Sequence, residues 1–438
     1  MRSSGSSPGT SAGAASREPP PGAAHEPSSD EVTSSYRWVV LAVGMTAQAS
    51  ISAVQLGLPA VAPDIRAELG LSLAETGALL AASTVGIIAT LLAWGALADR
   101  VGERAVIAIG LTGAAGALVL ASRADSGATL GAGLLLAGAL GSSANAASGR
   151  AVVAWFRPAQ RGFALGLRHM ATPLGGAIAA ALLPLAAHRG GLDAALQALA
   201  GACLVGALAA AAGLRRAEPS PDAAGGPARV RGPLRDRAIW RLSLGTASVV
   251  LAQISVLSFI ALYLNEERGW SLTGAALALA GMQLGGAAAR VAAGAWSDRL
   301  GSRIRPLRAL ALSGGVTLAL AAALLPAPDP AAVPLLIVAG VLAMAGNGVS
   351  FAAAAEMAGA GRVGTALGMQ NTILFVAVAV APPAFGAAVG LLSWPAAFAL
   401  AAVCPLVGWW TLGPLLGSER ARVRAGGAGA PARRGDRG

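Results

Sequence analysis

From Trp38 onward, apolar stretches of about twenty residues recur between short polar breaks. At about 1.5 Å per residue, each is long enough to cross a hydrocarbon core about 30 Å thick. Twelve such helices are expected, at residues 38–62, 74–96, 104–122, 128–155, 162–187 and 193–214, then at 238–264, 271–297, 307–326, 331–358, 364–391 and 394–417. Composition agrees: 55% of the 438 residues are apolar and only 12% are charged, against about one quarter charged in a soluble domain. That leaves too little polar surface to cover a globule in water. The fold class expected is an all-α polytopic membrane protein.

All 32 basic residues are arginine, because the chain holds no lysine. A phosphate loop that ends in Gly-Lys-Ser/Thr is therefore excluded, as is a Schiff base on a lysine amine. Absence of lysine beside abundant arginine, alanine and glycine suggests a GC-rich bacterial source. Placing both tails and the even-numbered connections on one side collects 25 arginines there, against Arg66, Arg123, Arg189 and Arg268 on the other. The positive-inside rule puts the 25-arginine face and both termini in the cytoplasm of a multi-pass cell-membrane protein. The net charge of +11 then reflects topology, and nucleic acid is not an expected partner. Residues 1–36 are rich in Ser, Gly, Ala and Pro and read as a disordered cytoplasmic tail without a cleavable signal. Residues 418–438 read as a basic cytoplasmic tail.

The polar stretch 215–237 divides the helices six and six, and an internal repeat runs across it. GALADRVGER from Gly95 recurs as GAWSDRLGSR from Gly294, an offset of 199, and RGFALGL from Arg161 recurs as VGTALGM from Val363, an offset of 202. Asn145 pairs with Asn347 at that second offset. Two parallel six-helix bundles, 37–214 and 238–417, are expected, with a substrate site between them near mid-membrane.

Between the second and third stretches, Gly95, Leu97, Asp99, Arg100, Gly102 and Arg104 form a G-x-L-x-D-R-x-G-x-R loop, and Gly294, Asp298, Arg299, Gly301 and Arg303 repeat most of it. This loop resembles the signature of the major facilitator superfamily, and the resemblance covers residues 37–417. It implies a monomeric secondary transporter that alternates access by rocking two bundles. It also implies that the loop charges latch the bundles in the outward-facing state, with Asp99 the most important. Physically, such a loop needs glycine at the reversal, a carboxylate near a helix end, and arginines that bridge to the neighbouring bundle. Glu356 is expected to pair with Arg303 or Arg299, in one half only, since its counterpart is Ala154. The fifth helix reads A-T-P-L-G-G over Ala171–Gly176, one residue short of the drug-antiporter pattern. The segment VVAWFRPAQRGFALGLR is more similar to organic-anion, cyanate and nitrate-type permeases.

Charges inside helices carry the substrate expectation, since a buried ion is costly unless it faces a wet cavity or a partner. Arg168 and His169 lie six or seven residues into the fifth helix, and Arg290 lies at similar depth in the eighth. Arg150, nearer the end of the fourth, is expected to snorkel to the interface. This positive field points to a small organic or inorganic anion, which a guanidinium fork binds by two parallel hydrogen bonds. Gln48, Gln55, Asn145, Gln253, Gln283, Gln370 and Asn371 are the polar candidates to complete the site, and Gln370 and Asn371 are the repeat counterparts of Arg168 and His169. A lipophilic drug or metabolite exporter is the alternative. A coupling proton would use His169 or Asp64, whereas a counter-anion would need no titrating group. No cofactor, metal cluster or enzymatic activity is expected, and Cys203 and Cys404 are expected to stay unpaired.

Overall fold

The computed structural model describes residues 29–215, 232–359 and 361–419. Residues 1–28 of the expected N-terminal tail, 216–231 of the linker and 420–438 of the C-terminal tail lie outside the described residues. The fold is helical throughout the described residues: α1 Ser29–Gly57, α2 Ala62–Leu69, α3 Leu73–Val101, α4 Glu103–Ala121, α5 Gly127–Trp155, α6 Arg161–His169 and α7 Ala171–Gly213 in the first half. The second half holds α8 Arg237–Glu266, α9 Leu272–Leu300, α10 Ile304–Leu324, α11 Asp329–Ala345, α12 Asn347–Ala358, α13 Val363–Leu391 and α14 Trp394–Leu412. Helix α1 begins at Ser29, within the expected tail. Extending a nucleated helix costs little per residue, so a polar flank of this kind can continue a membrane helix.

Among the described residues, eleven continuous helical segments are long and apolar enough to span a membrane. One of them, Pro158–Gly213, has 56 residues, about twice what one crossing needs. It breaks at Gly190 and Gly191, where φ/ψ values of −151/27 and 69/−169 leave the helical region. The break turns one segment into the fifth and sixth crossings and brings the total to the twelve expected. Only glycine adopts the Gly191 conformation at low cost.

Serines start several of these helices. Ser72 accepts from the Glu75 backbone N–H, and Glu75 reaches back to Ser72, a capping box at the start of α3. Its repeat counterpart Ser271 caps α9 through Gly274. Within each half, helices pack in the same pattern: α3 and α4 against α5 and α4 against α7, then α9 and α10 against α11 and α10 against α14. The chain therefore forms two six-helix bundles. They meet chiefly where α3 runs along α13 and where α6 packs on α9 and α12. α7, which continues the line of α6, does not extend the packing on α9 to any comparable degree, so these helices part away from the arginine-rich end.

Candidate substrate site and cross-bundle contacts

Two carboxylates tie the bundles together at the arginine-rich end. Asp99, in the last turn of α3, takes the backbone N–H groups of Gly364 and Thr365 at 2.7 Å each and the Thr365 hydroxyl at 2.7 Å. Asp298, at the end of α9, takes the N–H groups of Gly162 and Phe163 at 3.0 and 2.8 Å. Each carboxylate thus caps the first turn of a helix in the other bundle, α13 or α6, where orphan N–H groups and the positive helix end favour an anion. Glycines allow the approach: a Cβ on Gly364 would lie 2.8 Å from Asp99 Oδ1, and one on Gly162 would lie 2.6 Å from the Gly294 carbonyl oxygen. Gly102 and Gly301, with φ of 91° and 58°, make the reversals that follow.

The arginines around these caps are arranged differently in the two halves. Arg303 donates to Asp298 Oδ1 at 2.5 Å, to Glu356 Oε1 at 3.0 and 2.8 Å, and across the seam to the Pro158 carbonyl. Burial works against this cation, but Glu356 and Asp298 outweigh it and hold the Arg303 pKa above the ordinary guanidinium value. In the first half the cation is Arg150, which pairs with Asp99 at 3.3 Å and with Glu103. Arg150 thus reaches the helix-end region, where Asp99 of α3 and Glu103 of α4 pair with it. Arg100, Arg104 and Arg299, expected to bridge the bundles, are exposed and enter no ion pair among the described residues. Asp99 and Asp298 face the partner bundle, and the next helical position turns about 100° away, which sends Arg100 and Arg299 outward.

Deeper in the membrane, Arg168 is only 2% exposed and is held by neutral groups. Its Nε donates to Ser148 Oγ at 3.1 Å, its Nη2 to Gln48 Oε1 and Ser148 Oγ at 2.6 Å and to the Asn145 carbonyl at 3.3 Å, and its Nη1 to His169 Nε2 at 3.4 Å. The second half repeats this arrangement without the charge. Asn347 Nδ2 donates to Gln253 Oε1 at 3.4 Å, Ser350 Oγ to the Asn347 carbonyl at 2.8 Å, and Gln370 Nε2 to Ser350 Oγ at 3.0 Å. Asn145 and Asn347, Ser148 and Ser350, and Arg168 and Gln370 all stand 202 positions apart.

Arg290, on α9 and 7% exposed, donates from Nε to the Met344 carbonyl at 3.3 Å and from Nη1 to the His169 carbonyl at 3.4 Å. His169 therefore touches both buried arginines, and its ring packs 4.5 Å from that of Phe351. Asn371 crosses between the bundles, donating to the Asn145 carbonyl at 3.3 Å. No carboxylate accepts from Arg168 or Arg290 among the described residues. Gln283 sits on α9 seven residues before Arg290, half-buried and outside these networks. Thus Arg168, His169, Arg290, Gln48, Asn145 and Asn371 come together, Gln370 lies in the matching network of the other half, and Gln283 stands apart.

Sequence reasoning missed Ser148, Ser350, Glu103, Phe351 and Glu419. The serines carried a usable signal, the common offset of 202. Glu419 carried none: it lies in the expected tail, yet it takes the Ser302 hydroxyl at 2.7 Å and the Arg303 and Ile304 backbone N–H groups at 2.6 and 3.3 Å, capping α10.

Two six-helix bundles that cap each other's helices at one end and enclose buried arginines between them define a polytopic membrane transporter. The chain belongs to the Major Facilitator Superfamily, whose family model matches residues 43–382 and 242–434. It is 35% identical, over 84% of its length and 83% of the relative's, to an uncharacterized MFS-type transporter of Mycobacterium tuberculosis (strain ATCC 25618 / H37Rv). It is 31% identical to the probable nitrate/nitrite transporter NarK2 of the same strain, over 49% of this chain and 54% of that one. Its fold is that of the transporter FucP in the outward conformation, with a TM-score of 0.69 at 16% identity over 86% of this chain and 98% of that one.

Proposed function

We propose that this transporter carries a small anion, bound between the two bundles at Arg290 and Arg168. The observation that supports this is a pair of buried guanidinium groups joined through His169 and compensated by no carboxylate among the described residues. A buried cation without a counter-ion is costly, and an anionic cargo supplies the missing charge. NarK2, the relative named for nitrate and nitrite transport, agrees with this class. In the same reading the arginine-rich face is cytoplasmic, the bundles move as 37–214 and 238–417, and the caps at Asp99 and Asp298 hold the outward-facing state. The carrier works as a monomer, and anion exchange needs no titrating acid at the site.

The second half shows how to test this, since Gln370 keeps its serine contact where Arg168 would stand. Arg168→Gln should therefore fold while removing one charge. Thermal unfolding of the detergent-purified protein is measured against small anions and lipophilic cations, because a ligand at 100 times its dissociation constant adds about 2.7 kcal/mol. Stabilisation of the wild type by an anion class, lost in Arg168→Gln and in Arg290→Gln, is the expected result. Protection by lipophilic compounds alone would make the arginines structural and the protein an exporter of such compounds.

A further inference from the structure

The fifth crossing is interrupted at the depth of the arginines. α6 ends at His169 and α7 begins at Ala171, and Met170 turns its N–H back to the Leu167 carbonyl at 3.1 Å. The helical ladder resumes with the Leu174 N–H on the Met170 carbonyl at 3.2 Å. The His169 carbonyl is passed over, because the residue four positions on is Pro173. Proline has no N–H to give, and its ring pushes the carbonyl four residues back out of line. A carbonyl at membrane depth needs a donor from elsewhere, and here it comes from the other bundle: Arg290 Nη1 stands 3.4 Å away. Arg290 Nε meanwhile donates to the Met344 carbonyl at 3.3 Å, two residues ahead of Gly346, where α11 gives way to α12. The guanidinium is thus pinned between a carbonyl beside a break in one bundle and a carbonyl beside a break in the other. The backbones that carry these groups are in direct contact, since a Cβ on Gly166 of α6 would lie 2.6 Å from the Arg290 carbonyl oxygen.

Two anchors fix which donors remain. Of the five N–H groups of a guanidinium, Nε and Nη1 each spend one, so both on Nη2 and one on Nη1 stay free among the described residues. These three lie at the far end of the side chain, where a guanidinium presents two parallel donors to an anion. We infer that Pro173 is a positioning residue for the cargo: by withholding a helix donor from the His169 carbonyl it presents that carbonyl to Arg290, which aims the free N–H groups at the anion. This inference rests on the anion reading above. Pro173 itself touches no cargo in this arrangement and acts only through the carbonyl and the guanidinium. An N–H at position 173 would draw the His169 carbonyl back into the helix. Arg290 would then keep the Met344 anchor alone and regain rotamers, and ordering a long side chain on binding weakens affinity.

The test is equilibrium binding of nitrate and of acetate to the purified full-length protein, read beside the melting temperature of each variant without ligand. Pro173→Ala and Pro173→Ser both restore the N–H, so either one that folds decides the matter. Pro184→Ala is the control: Pro184 lies eleven residues further along α7 on an exposed face, so its replacement also restores a helix N–H but presents nothing to Arg290. The anion bound by the wild type should bind roughly three- to tenfold more weakly to the Pro173 variants, the scale set by immobilising one rotamer-rich side chain. Its affinity for Pro184→Ala should be unchanged, and Arg290→Gln should not bind it. Wild-type affinity in the Pro173 variants, with only the melting temperature moved, makes the proline merely structural. That result, or equal weakening in Pro184→Ala, overturns the positioning role, and loss of binding in Arg290→Gln would leave the anion reading standing. Binding of neither anion by the wild type, with protection by lipophilic compounds, overturns both.

Discussion

Asp99 carries more of the inter-bundle contact than its neighbours because of what it accepts. Three donors from the first turn of α13 converge on its two oxygens, and hydrogen bonds to a charged group contribute about 1.5–3 kcal/mol each. Asp99→Asn replaces one oxygen by an NH2 that would face a backbone N–H, so at least one of these bonds is lost. We expect the variant to fold normally and to slow initial uptake into proteoliposomes roughly tenfold, from about 1.4 kcal/mol off the balance between closed and open states. Unchanged initial rates would show that the cap contributes nothing to turnover. Arg150 and Arg303 differ in which helix they come from, yet each stands beside a capping carboxylate together with a glutamate, Glu103 or Glu356. The chemistry of the cap is thus repeated even where the sequence of the two halves is not.

At the level of helices, the closed end depends on glycine. A side chain at Gly294 would meet the backbone of Gly162 and the Phe163 nitrogen, the latter at 2.9 Å. Gly294→Val therefore forces α6 and α9 apart, at a cost of about 1–3 kcal/mol for an overpacked contact. Since the contact is between bundles, each bundle should still fold: the protein should purify as a monodisperse species with its flux abolished. Normal flux would show that α6 and α9 need not approach so closely. The Gly190–Gly191 break makes a contrasting case. Nothing lies within 4 Å of a Cβ placed on Gly191, but its φ is +69°. Gly191→Ala should lower thermal stability by about 1–3 kcal/mol through backbone strain alone, and uptake by the folded fraction should stay unchanged. A loss of uptake in excess of the loss of folded protein would assign the turn a role in motion.

The whole molecule is organised by two facts of different origin, charge asymmetry along the chain and approximate two-fold repetition in space. From the positive-inside rule we expect both termini on the arginine-rich, cytoplasmic face, so a fluorescent protein fused after Gly438 should fluoresce in cells and alkaline phosphatase there should be inactive, while phosphatase fused after Arg189 should be active. The opposite pattern would invert the topology. The sequence alone was enough for the fold class, the count of twelve crossings, the repeat and the family, because lipid forces long uninterrupted apolar helices and duplicated loops remain recognisable as text. It also pointed to Arg168, His169 and Arg290, since charge inside an apolar run is rare. Partners were decided only by the tertiary structure. Which arginine meets Asp99, which carboxylates Arg150 pairs with, and that Glu419 caps α10 all depend on helix rotation. A residue's neighbours across a helix seam are set by angles of about 100° per position and by packing against other helices, and neither is written in the order of residues along one chain.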